Sequence, residues 1–111
     1  MEVNTYQKLA ARTINPKLSN KDRLVNSMMG LCGEAGECSD IVKKHIFHEH
    51  PLDKGSLIKE LGDVAWYLAF AATALEVDLS DIFEQNIEKL KHRYPEGFSS
   101  EKSIHRIEEE E

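Results

Sequence analysis

The chain has 111 residues, 31% of them charged and 41% hydrophobic, a balance that suits one globular domain and excludes a disordered polymer. Its formal net charge of −6 argues against broad binding to DNA or RNA, which needs a basic face. MEVNTYQKLA carries no basic-plus-apolar leader, and the longest uncharged apolar run, Val64 to Leu75, is shorter than the about 20 residues that span a bilayer. The expectation is a cytoplasmic protein with neither a nucleic-acid nor a membrane partner.

Three prolines, six glycines and no β-branched runs leave a helical periodicity nearly throughout. A first helix is expected from about Asn4 to Thr13, with Val3, Tyr6, Leu9, Ala10 and Thr13 on one side. INPKLSN breaks it, and Asn20 offers a cap for a long second helix, about Lys21 to His45. HEHPLD is the next turn, with Pro51 as breaker and Asp53 as N-cap of a third helix, about Lys54 to Glu76. Ser80 in VDLSD is read as the cap of a fourth helix, about Asp81 to Tyr94, which Pro95 and Gly97 stop. FSSEKSIHRIEEEE then reads as a frayed polar tail. The organisation expected is one domain over 1–98 and an acidic C-terminal tail over 99–111, in an all-α fold of four helices.

The third helix is apolar on more than one side: Trp66, Tyr67, Phe70, Ala71 and Leu75 do not share a narrow stripe. Such a helix must be covered from several directions, so a partner subunit is expected to complete the bundle. Cys32 and Cys38, six residues apart, point in different directions on a helix and suit neither a disulfide nor a thiolate metal site. They read as small buried or half-buried residues. His45, His48 and His50 cluster at a turn without a companion Cys, and read as solvated turn residues rather than zinc ligands. The chain contains neither a GxxxxGK[ST] phosphate loop nor a GxSxG elbow.

Within LIKELGDVAWYLAFAATAL, the most apolar stretch, stand two acids, Glu60 and Asp63. A carboxylate taken out of water must be paired or bind a metal. The second helix carries a matching pair, Glu34 and Glu37, and residues three apart share a helix face. Glu37 lies seven residues before Lys44, and Glu60 seven after Asp53. Folding the two helices antiparallel about HEHPLD therefore sets the pairs at the same height. Four carboxylates facing one another repel unless a cation sits among them, and hard divalent ions, Mg²⁺ or Mn²⁺, prefer such oxygen donors. Gly30, Gly33, Ala35 and Gly36 are small enough to let a substrate or another helix approach. The bland alternative for Glu34 and Glu37 is an ordinary solvated face.

GLCGEAGECSDIVKKHIFHEHPLD followed by KELGDVAWYLA, with NIEKLKHRYPEGF beyond, resembles the MazG-like, all-α nucleoside triphosphate pyrophosphohydrolases, marked by ExxE…ExxD. The resemblance runs from YQKLAART to RYPEGF. It implies Mg²⁺ ligands and catalytic acids at Glu34, Glu37, Glu60 and Asp63. It also implies hydrolysis of (d)NTPs between the α and β phosphates, and a homodimer or homotetramer whose site draws on two subunits. In such a mechanism a metal-activated water attacks the α-phosphorus and one carboxylate, Glu37 being a candidate, serves as base. Asn86, Lys89 and Arg93 form one strip beside the apolar Phe83, Ile87, Leu90 and Tyr94. The resemblance points to Asn86, Lys89, Arg93 and Tyr94 as phosphate or sugar contacts, with a solvated helix edge as the alternative. Trp66 and Tyr67 flank the acids and can stack on a base or simply belong to the core. Lys44 can reach a phosphate or merely offset the helix dipole, and Gln7, in the segment resembling the family's first helix, is a further substrate contact. A di-iron bundle is disfavoured, since neither acidic pair contains a histidine. The competing reading is a non-catalytic acidic helical module that binds nucleotides or partners without turnover.

Overall fold

The structure, a computed structural model, describes residues 1–105, so the terminal glutamates of the acidic tail lie outside the described residues. It is all-helical: α1 (Val3–Ala11), α2 (Asn20–Phe47), α3 (Lys54–Ala74), α4 (Leu79–Arg93) and a short α5 (Ser100–Ile104). No described helix is long and apolar enough to cross a membrane. Two compact units divide the chain, the first covering Met1–Leu79 and the second beginning at Ser80.

In the first unit each helix start has a side-chain oxygen for its orphan amides. Glu2 accepts from the Asn4 and Thr5 N–H groups, Ser19 from Asp22, and Asp53 from Ser56 at 3.0 Å. Ser19, not Asn20, is therefore the cap of α2; Asn20 already lies in the first turn. Asp53 caps α3 as expected. α3 ends with Glu76 in the left-handed region (φ 59), while Val77 N–H returns to Ala72 O and Glu76 N–H to Thr73 O. This is the Schellman geometry that most chains build on glycine.

α2 packs along α3, and α1 packs on α3. The contacts run in opposite chain directions: Gly30 meets Tyr67, while the groove beyond Cys38 joins Val42 and Phe47 to Leu57 and Leu61. The antiparallel α2–α3 pair is thus formed. At the turn the His45 ring donates from Nδ1 to His50 O (2.8 Å), which ties the histidine cluster into chain reversal. α1 is fastened at two points, just beyond its C-terminus and at its middle. The Trp66 indole donates to Thr13 Oγ1 (2.8 Å), which itself donates to Ala10 O. Gln7, midway along α1, is buried, and its amide donates to Val77 O (3.0 Å) and Thr73 Oγ1 (3.3 Å) and accepts from Leu79 N–H (2.7 Å).

The core lies under the second half of α3. Ala69, Phe70, Ala71 and Ala72 are buried there with Ala10, Ile14 and Leu79, and the alanines let the helices approach closely. Phe70, 3% exposed, supplies about 1.5–3 kcal/mol of burial by itself. The breadth of the apolar surface on α3 thus has two explanations. Its second half is covered within the chain, whereas Ile58 and Leu61 in its first half are exposed, as are Met29, Val42 and Phe47 on α2.

In the second unit, α4 begins at Leu79, so Ser80 lies inside the helix instead of capping it. Gly97 takes a positive φ of 92 and its N–H returns to Tyr94 O, a turn that glycine makes without strain. Tyr94 and Phe98 pack with ring centroids 5.5 Å apart. Where the sequence suggested a frayed tail, α5 forms one short helix capped by Ser99. Both cysteines are free thiols; Cys38 is half-buried, but Cys32 is exposed, contrary to expectation. It falls on the outer face of α2, which α3 does not cover.

Candidate functional site

The α2–α3 seam brings one carboxylate oxygen each from Glu34, Glu60 and Asp63 within 4.8 Å of one another. Helical spacing puts Glu60 and Asp63 on one face of α3, and the antiparallel crossing lays Glu34 of α2 against them. The electrostatics follow from crowding. Glu34 is pushed up to about 7, first by its side-chain hydrogen bond with Glu60, then by desolvation and by the charges of Glu60, Asp63 and Glu37. Among the described residues no cation offsets that shift. Three oxygens gathered without a neutralising partner fit a hard divalent cation, which prefers carboxylates at this density. Glu37, one turn from Glu34, contributes no oxygen to that group; it is exposed.

The Glu34–Glu60 hydrogen bond sets a testable pH dependence. Glu34 binds its proton more tightly in the folded, metal-free chain than the ordinary 4.5 of an unfolded glutamate. The stability this contributes is fully present below 4.5 and is lost as pH rises through about 7. Asp40, Asp53 and Glu2 are shifted downwards, so their contribution is lost at more acidic pH and does not fall in this window. In EDTA the melting temperature should decline between those two pH values, and Glu60→Gln should flatten the decline. A metal-free melting temperature indifferent to pH across the window would show that the carboxyls do not share a proton.

On one side of the acids stands Tyr67, its ring seated at Gly30. Trp66 meets it edge-on, with centroids 4.9 Å apart, and Phe70 stacks at 6.5 Å. On the other side opens an apolar groove of about 540 Å³ lined by Cys38, Val42, Phe47, Leu57 and Leu61. Burial, then the charges of Glu60, Glu34 and Asp63, push the Cys38 thiol up, so it stands within the field of the acids. Tyr6 is likewise raised, by burial first and then by Asp63. Neither was marked as a site residue by its sequence pattern: Tyr6 belongs to the apolar side of α1, and Cys38 looked like filler.

The remaining candidates are differently employed. Lys44 pairs with Asp40 at 2.9 Å and Lys43 with the same carboxylate at 3.4 Å; Lys44 also feels the charge of Glu37. The Trp66 indole is spent on Thr13, and Gln7 on the corner between α3 and α4. Asn86 and Lys89 are exposed on α4, and Arg93 and Tyr94 are half-buried, a strip carried by the second unit.

Residues 24–98 match the model of the MazG nucleotide pyrophosphohydrolase domain. The chain belongs to the MazG family. The matched span contains all four acids, the Gly30–Tyr67 contact and the α4 strip. The MazG chain is also similar to the Gene 37 protein of Mycobacterium phage L5, with 37% identity over 105 residues, covering 87% of this chain and 92% of that protein. No solved structure matches it significantly.

Proposed function

We propose that this MazG domain is a cytoplasmic, divalent-metal-dependent nucleoside triphosphate pyrophosphohydrolase, cleaving (d)NTPs between the α and β phosphates to (d)NMP and pyrophosphate. The observation that carries the reading is the convergence of Glu34, Glu60 and Asp63 oxygens within 4.8 Å, inside the segment matched by the family. Glu34, Glu60 and Asp63 would hold Mg²⁺ or Mn²⁺, with Glu37 exposed beside them as the fourth carboxylate. A bound ion supplies Lewis-acid polarisation and lowers the pKa of a coordinated water. The base that takes the proton from the attacking water is assigned to a carboxylate of the quartet, with Glu37 the candidate because it adds no oxygen to the three-carboxylate group. Lys89 and Arg93, with Asn86 and Tyr94, are the groups assigned to the charge that grows on the leaving pyrophosphate. Tyr67 walls the nucleoside side.

The test is a panel of canonical and damaged NTPs and dNTPs with Mg²⁺, followed by ³¹P spectroscopy. Monophosphate and pyrophosphate should appear, without free orthophosphate, and EDTA should stop the reaction. Diphosphate plus orthophosphate would reject attack at the α-phosphorus.

The same reading includes a homodimer or homotetramer. It is supported by Ile58 (60% exposed), Met29 (70%) and Phe47 (75%), apolar side chains along the two helices that carry the acids; exposed apolar patches of this kind mark interfaces. Phe70, buried within the chain, is unsuited to probing assembly, because a charge there would attack the core. Ile58→Glu is the appropriate probe. It should shift light scattering towards monomer while preserving the helical signal, and a wild-type chain monomeric at micromolar concentration would overturn the assembly.

A further inference from the structure

Gly30 is half-buried beneath an aromatic ring in a way that no other glycine of the chain shares. A Cβ built there would run into the Tyr67 ring at Cε1, Cδ1 and Cζ, whereas Gly33, Gly36 and Gly62 face open space within 4 Å. Ordinary carbon contacts begin at about 3.5 Å, so the ring occupies the place a side chain at 30 would take. Gly30 lies one helical turn before Glu34 on α2, and Tyr67 one turn after Asp63 on α3. The ring thus stands one turn, about 5.4 Å along the axes, from the level of the carboxylates. Its position is held from the remaining sides by Trp66, itself bonded to Thr13, and by Phe70. Among the described residues the Tyr67 hydroxyl makes no hydrogen bond, and the side chain is only half-buried.

A rigid ring with an available hydroxyl, set beside a cation site, suits a positioning function. If phosphates end on the carboxylates, the part of the substrate one turn away is the nucleoside. We infer that Gly30 is a positioning residue: by opening the slot for Tyr67 it fixes where the nucleoside of the substrate is held relative to Glu34, Glu60 and Asp63. This rests on the proposed function, but its test separates the two. It concerns Gly30 itself, which makes no contact with substrate and acts only through the ring.

The experiment measures Mn²⁺ binding and, separately, binding of the α,β-imido analogues of dATP, dCTP, dGTP and dTTP in the presence of Mn²⁺, by calorimetry on the full chain. In Gly30→Ala the ring must move by more than about 1 Å, a misplacement of the size that can cost about 100-fold in rate. Mn²⁺ affinity should be retained while analogue affinity falls at least about 10-fold. Tyr67→Leu should lose a similar factor, and Gly30→Ala/Tyr67→Leu should be no worse than Tyr67→Leu, because the clash is gone once the ring is gone. Analogue binding by Gly30→Ala equal to wild type, or losses that multiply in the double variant, would overturn the slot. If Gly30→Ala fails to fold, the double variant is read instead: refolding with the affinity of Tyr67→Leu upholds the inference, and wild-type affinity overturns it. A wild-type chain that takes up Mn²⁺ but none of the four analogues would bring down the nucleotide reading and the slot with it. Wild-type binding together with unperturbed Gly30→Ala binding would bring down the slot alone.

Discussion

Glu60→Gln and Asp63→Asn are each expected to lower kcat/KM at least about 100-fold, since even residues that merely orient metal ligands are worth 10 to 100-fold. Each exchange keeps the shape of the side chain and removes one negative oxygen from a group whose members lie within 4.8 Å. A divalent ion loses a charged donor, and the Glu34–Glu60 hydrogen bond loses one of its two carboxyls or its neighbouring field. The same exchange should leave the fold intact, because the acids repel one another in the metal-free chain: Glu34 is raised to about 7 by that crowding. The signature is therefore double. Pyrophosphate release collapses, while the metal-free melting temperature above that pH stays level or rises. Normal turnover in either variant would remove these carboxylates from the mechanism. A collapse of stability instead would make them structural.

Gln7→Ala should cost about 2–4 kcal/mol of stability, the range for stranding buried hydrogen-bonding groups together with a lost buried side chain. The Gln7 side-chain carbonyl accepts from the buried Leu79 N–H, and its NH2 group donates to Val77 O and Thr73 Oγ1. Those groups stand where α3 turns into α4, just after Glu76 in its left-handed conformation. Removing the amide leaves a buried donor without an acceptor and loosens α1 from α3 at the same point. Urea unfolding should show a lower midpoint with little change in slope. An unchanged midpoint accompanied by weaker nucleotide binding would instead return Gln7 to the substrate site.

These two residues mark the boundary between local and tertiary information. Glu60 and Asp63 are legible because an acid pair in an apolar helix contradicts its surroundings, and the seven-residue spacings of Glu37 from Lys44 and of Glu60 from Asp53 state the register of the antiparallel pair. That register is local arithmetic: one helix rise, one short turn, one helix rise. The helices themselves follow from periodicity and from caps such as Asp53, which depend on neighbours in the chain. Gln7 is different. Its partners lie 66 to 72 positions away, so its sequence neighbourhood holds no sign that its amide closes a corner. Gly30 is of the same kind: three glycines in GLCGEAGE look alike, and only the packing of α3 shows that one is filled by a ring while Gly33 and Gly36 face open space. Spacing placed four acids at one height, but side-chain geometry gathered the oxygens of three and left Glu37 exposed. Chain-local physics thus determines the helices, their order and the acidic seam, because hydrogen bonding and amphipathic spacing act over a few residues. Which polar groups are spent on structure, and which remain available for chemistry, is decided only when distant segments meet and each buried donor must find its acceptor.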